Sequence, residues 1–132
     1  MPVLQAIGAF ALYFAMGLGF VALFLAVFLR ATPHAEIRLI REGNVAAAVG
    51  LAGALVGFCV PLSMSLRQAV SATDLAIWAG VALLGQLAAH GFVRLLLSGF
   101  PQRIERGDVA AAITAAALHL GVGLLNAAAM TA

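Results

Sequence analysis

Charge is what this chain has least of. Only 9% of its 132 residues are charged while 64% are hydrophobic, and a soluble domain of this length needs far more charge to cover its surface. The few charges are also confined. Residues 1–29, 45–66, 75–93 and 109–132 carry none, and each run is long enough to cross a hydrocarbon core, which takes roughly 20 apolar residues as a helix. The expected fold is therefore all-α: one polytopic membrane domain over residues 1–132 with four transmembrane helices.

Other absences exclude function classes. The single cysteine, Cys59, rules out an intramolecular disulfide and any cysteine-cluster metal site. A net charge of +2 is too small and too localised for nucleic-acid binding. The carboxylates Glu36, Glu42, Asp74, Glu105 and Asp108 all fall outside the middle of a span, where a proton- or sodium-coupled carrier usually keeps one. No nucleophile–base constellation, phosphate loop or metal-ligand spacing is present, and His34 and Glu36, two apart on a helix, do not face each other. These gaps disfavour enzymatic catalysis, and no cofactor is expected.

What charge there is has a direction. All seven cations are arginines. Arg30, Arg38 and Arg41 lie between spans one and two, and Arg94, Arg103 and Arg106 between spans three and four. The remaining gap holds Arg67 alone. The positive-inside bias then puts the first and third connections in the cytoplasm and both termini outside. The first run is too long for a cleaved signal, and its cations follow it, so it is expected to stay as a span.

A shift of 64 residues superposes Arg41-Glu42-Gly43-Asn44-Val45-Ala46-Ala47-Ala48 on Glu105-Arg106-Gly107-Asp108-Val109-Ala110-Ala111-Ala112. It also matches Phe28 with Phe92, Arg30 with Arg94, Ile40 with Ile104 and Gly57 with Gly121. The simplest account is a duplicated two-helix hairpin, with repeats near 4–66 and 74–132. An even number of spans per unit makes this a parallel repeat about an axis near the membrane normal. Asn44 and Asp108 suit helix N-caps, and Gly43 and Gly107 suit the reversal before them. A short interfacial helix is expected between Thr32 and Glu42, capped by Thr32 and started by Pro33. Its Ile37 and Ile40 would face lipid, with Arg38 and Arg41 among headgroups.

Small residues predict how the spans pack, since lipid tails give apolar helices no reason to associate. Gly53 and Gly57 on span two, Ala11, Ala15 and Gly19 on span one, and Ala117 and Gly121 on span four are spaced by four. They predict a tight left-handed bundle in which Gly57 resists leucine, while Ala47, near the loop edge, accepts it. Pro61 is expected to kink or end span two, leaving Ser63 and Ser65 near the outer surface. Trp78 suits a headgroup-level anchor.

Polar residues at membrane depth are expensive unless paired. Gln86, His90 and Arg94 are spaced by four on span three, and His119 and Asn126 by seven on span four, so each set shares a face. They predict either interhelical hydrogen bonds that fix the bundle, or a polar pathway or small-ligand site. Histidines on neighbouring helices also ligate haem iron, although His119 lies only a third to half of the way along its span. Arg94 can snorkel to the interface.

Thr32-Pro33-His34-Ala35-Glu36, Pro61-Leu62-Ser63, Ala69-Val70-Ser71 with Asp74 and Trp78, and Asn126-Ala127-Ala128-Ala129-Met130-Thr131 resemble the YjfL family of small bacterial inner-membrane proteins. The resemblance spans nearly the whole chain. It implies four spans in the inner membrane and a domain of unknown function, with no catalytic or ligand residues to carry over. Genes of the family often neighbour envelope-stress proteins, which implies a membrane-maintenance role. Two functions remain in view: a structural or interaction module, alone as a homo-oligomer or beside a membrane-protein partner, and an oligomeric small-solute or ion transporter lined by the polar residues.

Overall fold

The computed structural model describes residues 1–32 and 35–131. In chain order they form α1 (Pro2–Ala31), α2 (Glu36–Arg41), α3 (Val45–Gln68), α4 (Ala72–Leu96), α5 (Phe100–Glu105) and α6 (Val109–Ala129). Four of these, of 30, 24, 25 and 21 residues, are long and apolar enough to span a membrane. At about 1.5 Å per residue they measure roughly 32 to 45 Å, against a hydrocarbon core of about 30 Å. All regular structure among the described residues is helical.

The short helices α2 and α5 sit in the two arginine-bearing connections, and their ends are built alike. Gly43 (φ +85°) and Gly107 (φ +79°) adopt the left-handed conformation that glycine reaches at no steric cost. Their N–H groups donate to Ile40 O and Ile104 O at 3.0 and 2.9 Å. Asn44 Oδ1 then accepts from Ala47 N at 3.0 Å and Asp108 Oδ1 from Ala111 N at 3.1 Å, capping α3 and α6. The two caps differ in their free atom. The Asn44 amide donates across to Ile104 O at 2.9 Å, whereas a carboxylate only accepts, and Asp108 Oδ2 takes Arg103 Nε at 2.8 Å. That hydrogen bond, with the one from Ala111, holds the Asp108 carboxyl below its ordinary pKa. At the opposite end, Ser71 and Asp74 cap α4 reciprocally: Ser71 Oγ accepts from Asp74 N, and Asp74 Oδ2 from Val70 N.

The centre of the bundle is the parallel pair α3 and α6, whose backbones touch. A Cβ on Gly53 would collide with Cα and Cβ of Ala116. A Cβ on Gly57 would lie 2.5 Å from His119 O, and one on Gly123 would strike Gly57 O. Cα–H groups thus point at carbonyl oxygens in both directions, a recurring weak bond at close helix crossings. Pro61, four residues after Gly57, has no N–H to offer that carbonyl, so Gly57 O is free to meet α6.

α1 packs on this pair through one face. Phe24 stacks on Phe58 with centroids 4.6 Å apart, and Gly17 lies against Leu66 Cδ1. These two contacts fix an antiparallel register in which α3 ends beside about residue 15 of α1, so α1 overruns α3 by about three turns. Residues 1–12 are accordingly exposed on every side.

Several expectations need correcting. Pro61 does not end α3, which continues through Gln68. Ser65 is buried, donating to Pro61 O at 2.9 Å, and only Ser63 reaches the surface. Thr32 closes α1, with its hydroxyl donating to Leu29 O, and Ala35 precedes α2. Pro33 lies outside the described residues. Ile40 packs half-buried against the loop-side core of Leu39, Ala46, Ala47, Val93 and Ile104, while Ile37 is exposed. Ala47 belongs to that core and is no tolerant control. Gly121 has open space where its Cβ would be. Gly123 makes the seam instead, because two residues are about 200° apart around a helix.

Leucine at Gly57 or Gly123 forces the α3–α6 backbones apart, and overpacking of this kind costs about 1–3 kcal/mol. Melting temperature in detergent is expected to fall for Gly57→Leu and Gly123→Leu and to hold for Gly121→Leu. Equal losses at 121 and 123 would refute the assignment of the seam.

Candidate functional site

The polar groups inside the bundle meet where Gly57 leaves room. Gln86 lies near the middle of α4, His90 one turn further on, and His119 on α6 faces both. Their residual exposures are 0%, 5% and 2%, deep burial for polar side chains in a bilayer protein. His119 Nδ1 and Gln86 Oε1 are 3.1 Å apart. The amide oxygen only accepts, so as placed the imidazole donates from Nδ1. A Cβ on Gly57 would come 3.1 Å from the same oxygen. One glycine thus admits both the α6 backbone and the Gln86 amide. The Gln86 Nε2 is buried with no hydrogen-bond partner among the described residues.

Aromatic rings close around this pair. The His90 and His119 rings lie 6.0 Å apart and 25° from parallel. Phe28 meets both edge-on, at 5.0 Å from His90 and 5.9 Å from His119. Phe24 stacks on Phe28 at 5.6 Å and on Phe58 at 4.6 Å, extending the ring column away from the histidines. The residues present do not fit a haem, because Phe28 fills the space beside the two imidazoles that a macrocycle would need. Among the described residues no three His, Cys, Asp or Glu side chains converge on a metal position. What the arrangement does chemically is tie α4 to α6 through one buried hydrogen bond in an aromatic setting.

The stripes read from the sequence are split by the fold. Gln86, His90 and His119 come together. Arg94 is exposed, because its neighbour Val93 takes the inward position. Asn126 is half-buried two turns beyond His119, with its Nδ2 lying 2.5 Å from where a Gly85 Cβ would be. Glu36 is buried at the start of α2. His34 lies outside the described residues, as does Pro33. The sequence reading missed Phe24, Phe28, Phe58, Gly85 and Gly123. The signal for the first two was available: Tyr13, Gly17, Phe20, Phe24 and Phe28 recur at three- and four-residue spacing on α1, the mark of one helix face.

The chain matches the family model described as Domain of Unknown Function (DUF350) over residues 2–130. It is 37% identical over 131 residues to UPF0719 inner membrane protein YjfL of Escherichia coli strain K12, covering 99% of each chain. The protein of that name from Escherichia coli O157:H7 matches to the same extent. No solved structure matches the chain.

If the Gln86–His119 bond holds α4 to α6, Gln86→Leu strands a buried donor, which costs about 1–3 kcal/mol. Removing both partners is then expected to cost less than the two single losses together. A cycle of Gln86→Leu, His119→Leu and the double variant, read as melting temperature in detergent, measures this coupling. Strict additivity would show that the bond contributes nothing.

Proposed function

The chain belongs to the DUF350 family, and from that premise we propose that it is a non-enzymatic structural or interaction module of a bacterial inner membrane. It associates with copies of itself or serves as a subunit of a membrane complex. The observation that carries this reading is on α1. Gly8, Ala11, Ala15, Gly19, Ala22 and Ala26 recur every three or four residues over about five turns, and all six are exposed. A Cβ on Gly8 or Gly19 would meet nothing within 4 Å. The stripe lies opposite the Gly17–Phe24–Phe28 face that binds the bundle, so the small residues expected to pack within the chain point out of it. In hydrocarbon such stripes let a neighbouring helix approach closely. The interior supports the same reading, since Phe24, Phe28 and Phe58 pack the polar groups in.

The matched loops support the further reading that the two hairpins are copies of one unit, although the seam uses Gly123 where the 64-residue shift points to Gly121. On the arginine distribution we place the α2 and α5 connections in the cytoplasm and both termini outside. The buried amide nitrogen of Gln86 favours one alternative, an oligomeric conduit lined by α4 and α6. Ion or solute flux into liposomes that Gln86→Leu removes would decide for it.

Subunit counting by photobleaching in liposomes is expected to show oligomers that Ala15→Leu and Gly19→Leu together convert to monomers, with the melting temperature unchanged. A monomeric wild type, or oligomers indifferent to the two leucines, would sink the self-association arm.

For orientation, a C-terminal alkaline phosphatase fusion is expected to be active and a GFP fusion dark. The reverse pattern overturns the placement.

A further inference from the structure

A groove runs between α1 and α3 on a different side of α1 from the small-residue stripe. It has two connected cavities. One, of about 310 Å³, is lined by Ala9, Phe10, Tyr13, Phe14 and Leu66. The other, of about 220 Å³, continues toward the loop side past Gly17, Val21, Cys59 and Leu62. Phe14 and Leu66 belong to both. Ala9 and Phe10 lie on the part of α1 that overruns α3, so both helices wall the groove only from Phe14 to Val21, about 10 Å along α1.

Its walls are apolar apart from Ser63 and the phenol of Tyr13, and the nearest charge along α3 is one turn beyond Ser63. Leu66 is followed by Arg67, exposed in the last turn of α3. Arg67 is the one arginine outside the two loop regions, and among the described residues no carboxylate pairs with it. A narrow apolar slot that ends where α3 ends, beside an arginine that pairs with no carboxylate among the described residues, suits an acyl chain whose anionic head lies at the surface. Arginine forks hold phosphate oxygens through paired N–H groups.

We infer that this groove binds an anionic glycerophospholipid from the leaflet opposite the arginine-rich loops. One acyl chain lies along Phe14, Gly17, Val21 and Leu62, and the phosphate lies on Arg67. Cys59 and Ser63 are wall residues that keep the slot wide, and a large side chain at 63 closes it.

The test uses the full chain in nanodiscs of phosphatidylglycerol and phosphatidylethanolamine, each in turn carrying a diazirine on its acyl chain. Adducts from the glycerol lipid are expected within residues 9–21 and 59–66. After detergent washing, native mass spectrometry is expected to show retained phosphatidylglycerol reduced about five-fold in Arg67→Gln, the worth of one arginine beside an anionic surface. Phosphatidylethanolamine adducts are expected to stay unchanged in that variant. Ser63→Trp is expected to abolish both adducts and retention while the melting temperature holds. Adducts spread as densely over Val81 and Leu84 on the outer face of α4, or retention indifferent to Arg67→Gln, would overturn the assignment. So would cross-links to a second chain in place of lipid adducts, since a protein neighbour would then fill the slot.

Discussion

Two helices whose backbones touch are the constraint around which the rest of this molecule is arranged. In hydrocarbon, apolar side chains gain nothing by leaving lipid for protein, so cohesion must come from close packing and from polar bonds. α3 and α6 supply the first by putting Gly53, Gly57 and Gly123 where any side chain would strike the opposing backbone. The approach also needs a carbonyl free to receive it. Pro61 provides that by withholding an N–H from Gly57 O, which then faces Gly123. A residue that reads as a helix breaker is here part of the crossing.

The other spans follow from that seam. The gap left by Gly57 is where the Gln86 amide enters, and Gln86 brings α4 to His119. The paired imidazoles then require a non-aqueous neighbour with a polar edge, which Phe28 supplies. Seating Phe24 and Phe28 beside this group sets the height of α1, and that height carries its first twelve residues beyond the end of α3. The overrun and the outward small-residue stripe are thus costs of filling the core with rings from α1, and they leave α1 with the surface most available to lipid or to another chain.

At the loop side the same economy appears in backbone bonds. A helix start at the edge of a bilayer has unpaired N–H groups that the core cannot hydrate, and Asn44 and Asp108 satisfy them in the same way. Their second functions diverge because an amide donates and a carboxylate does not. Asn44 links the two connections to each other, while Asp108 is held ionised by Arg103 within its own connection. The pair is equivalent in position and unlike in role.

Composition and charge spacing alone determined that four helices span a membrane, where the second and fourth begin, and which glycines turn the chain before them, because these depend on local chemistry and on the bilayer as solvent. The third begins at Ala72, three residues before its charge-free run, because Asp74 sits in its first turn. The matched caps and turns were legible for the same reason: each is settled within a few residues. Which faces meet was not legible. The four-residue spacing of Gly57 with Gly53, or of Gly121 with Ala117, marks a stripe but not its partner, and an offset of two residues moves the seam from Gly121 to Gly123. Arg94 shares spacing with Gln86 and His90, yet it leaves the core because helix rotation at the boundary is set by contacts with other elements. The meeting of Gln86, His119 and Phe28 was likewise decided only in three dimensions, since it depends on the relative heights of α1, α4 and α6, which no single segment encodes.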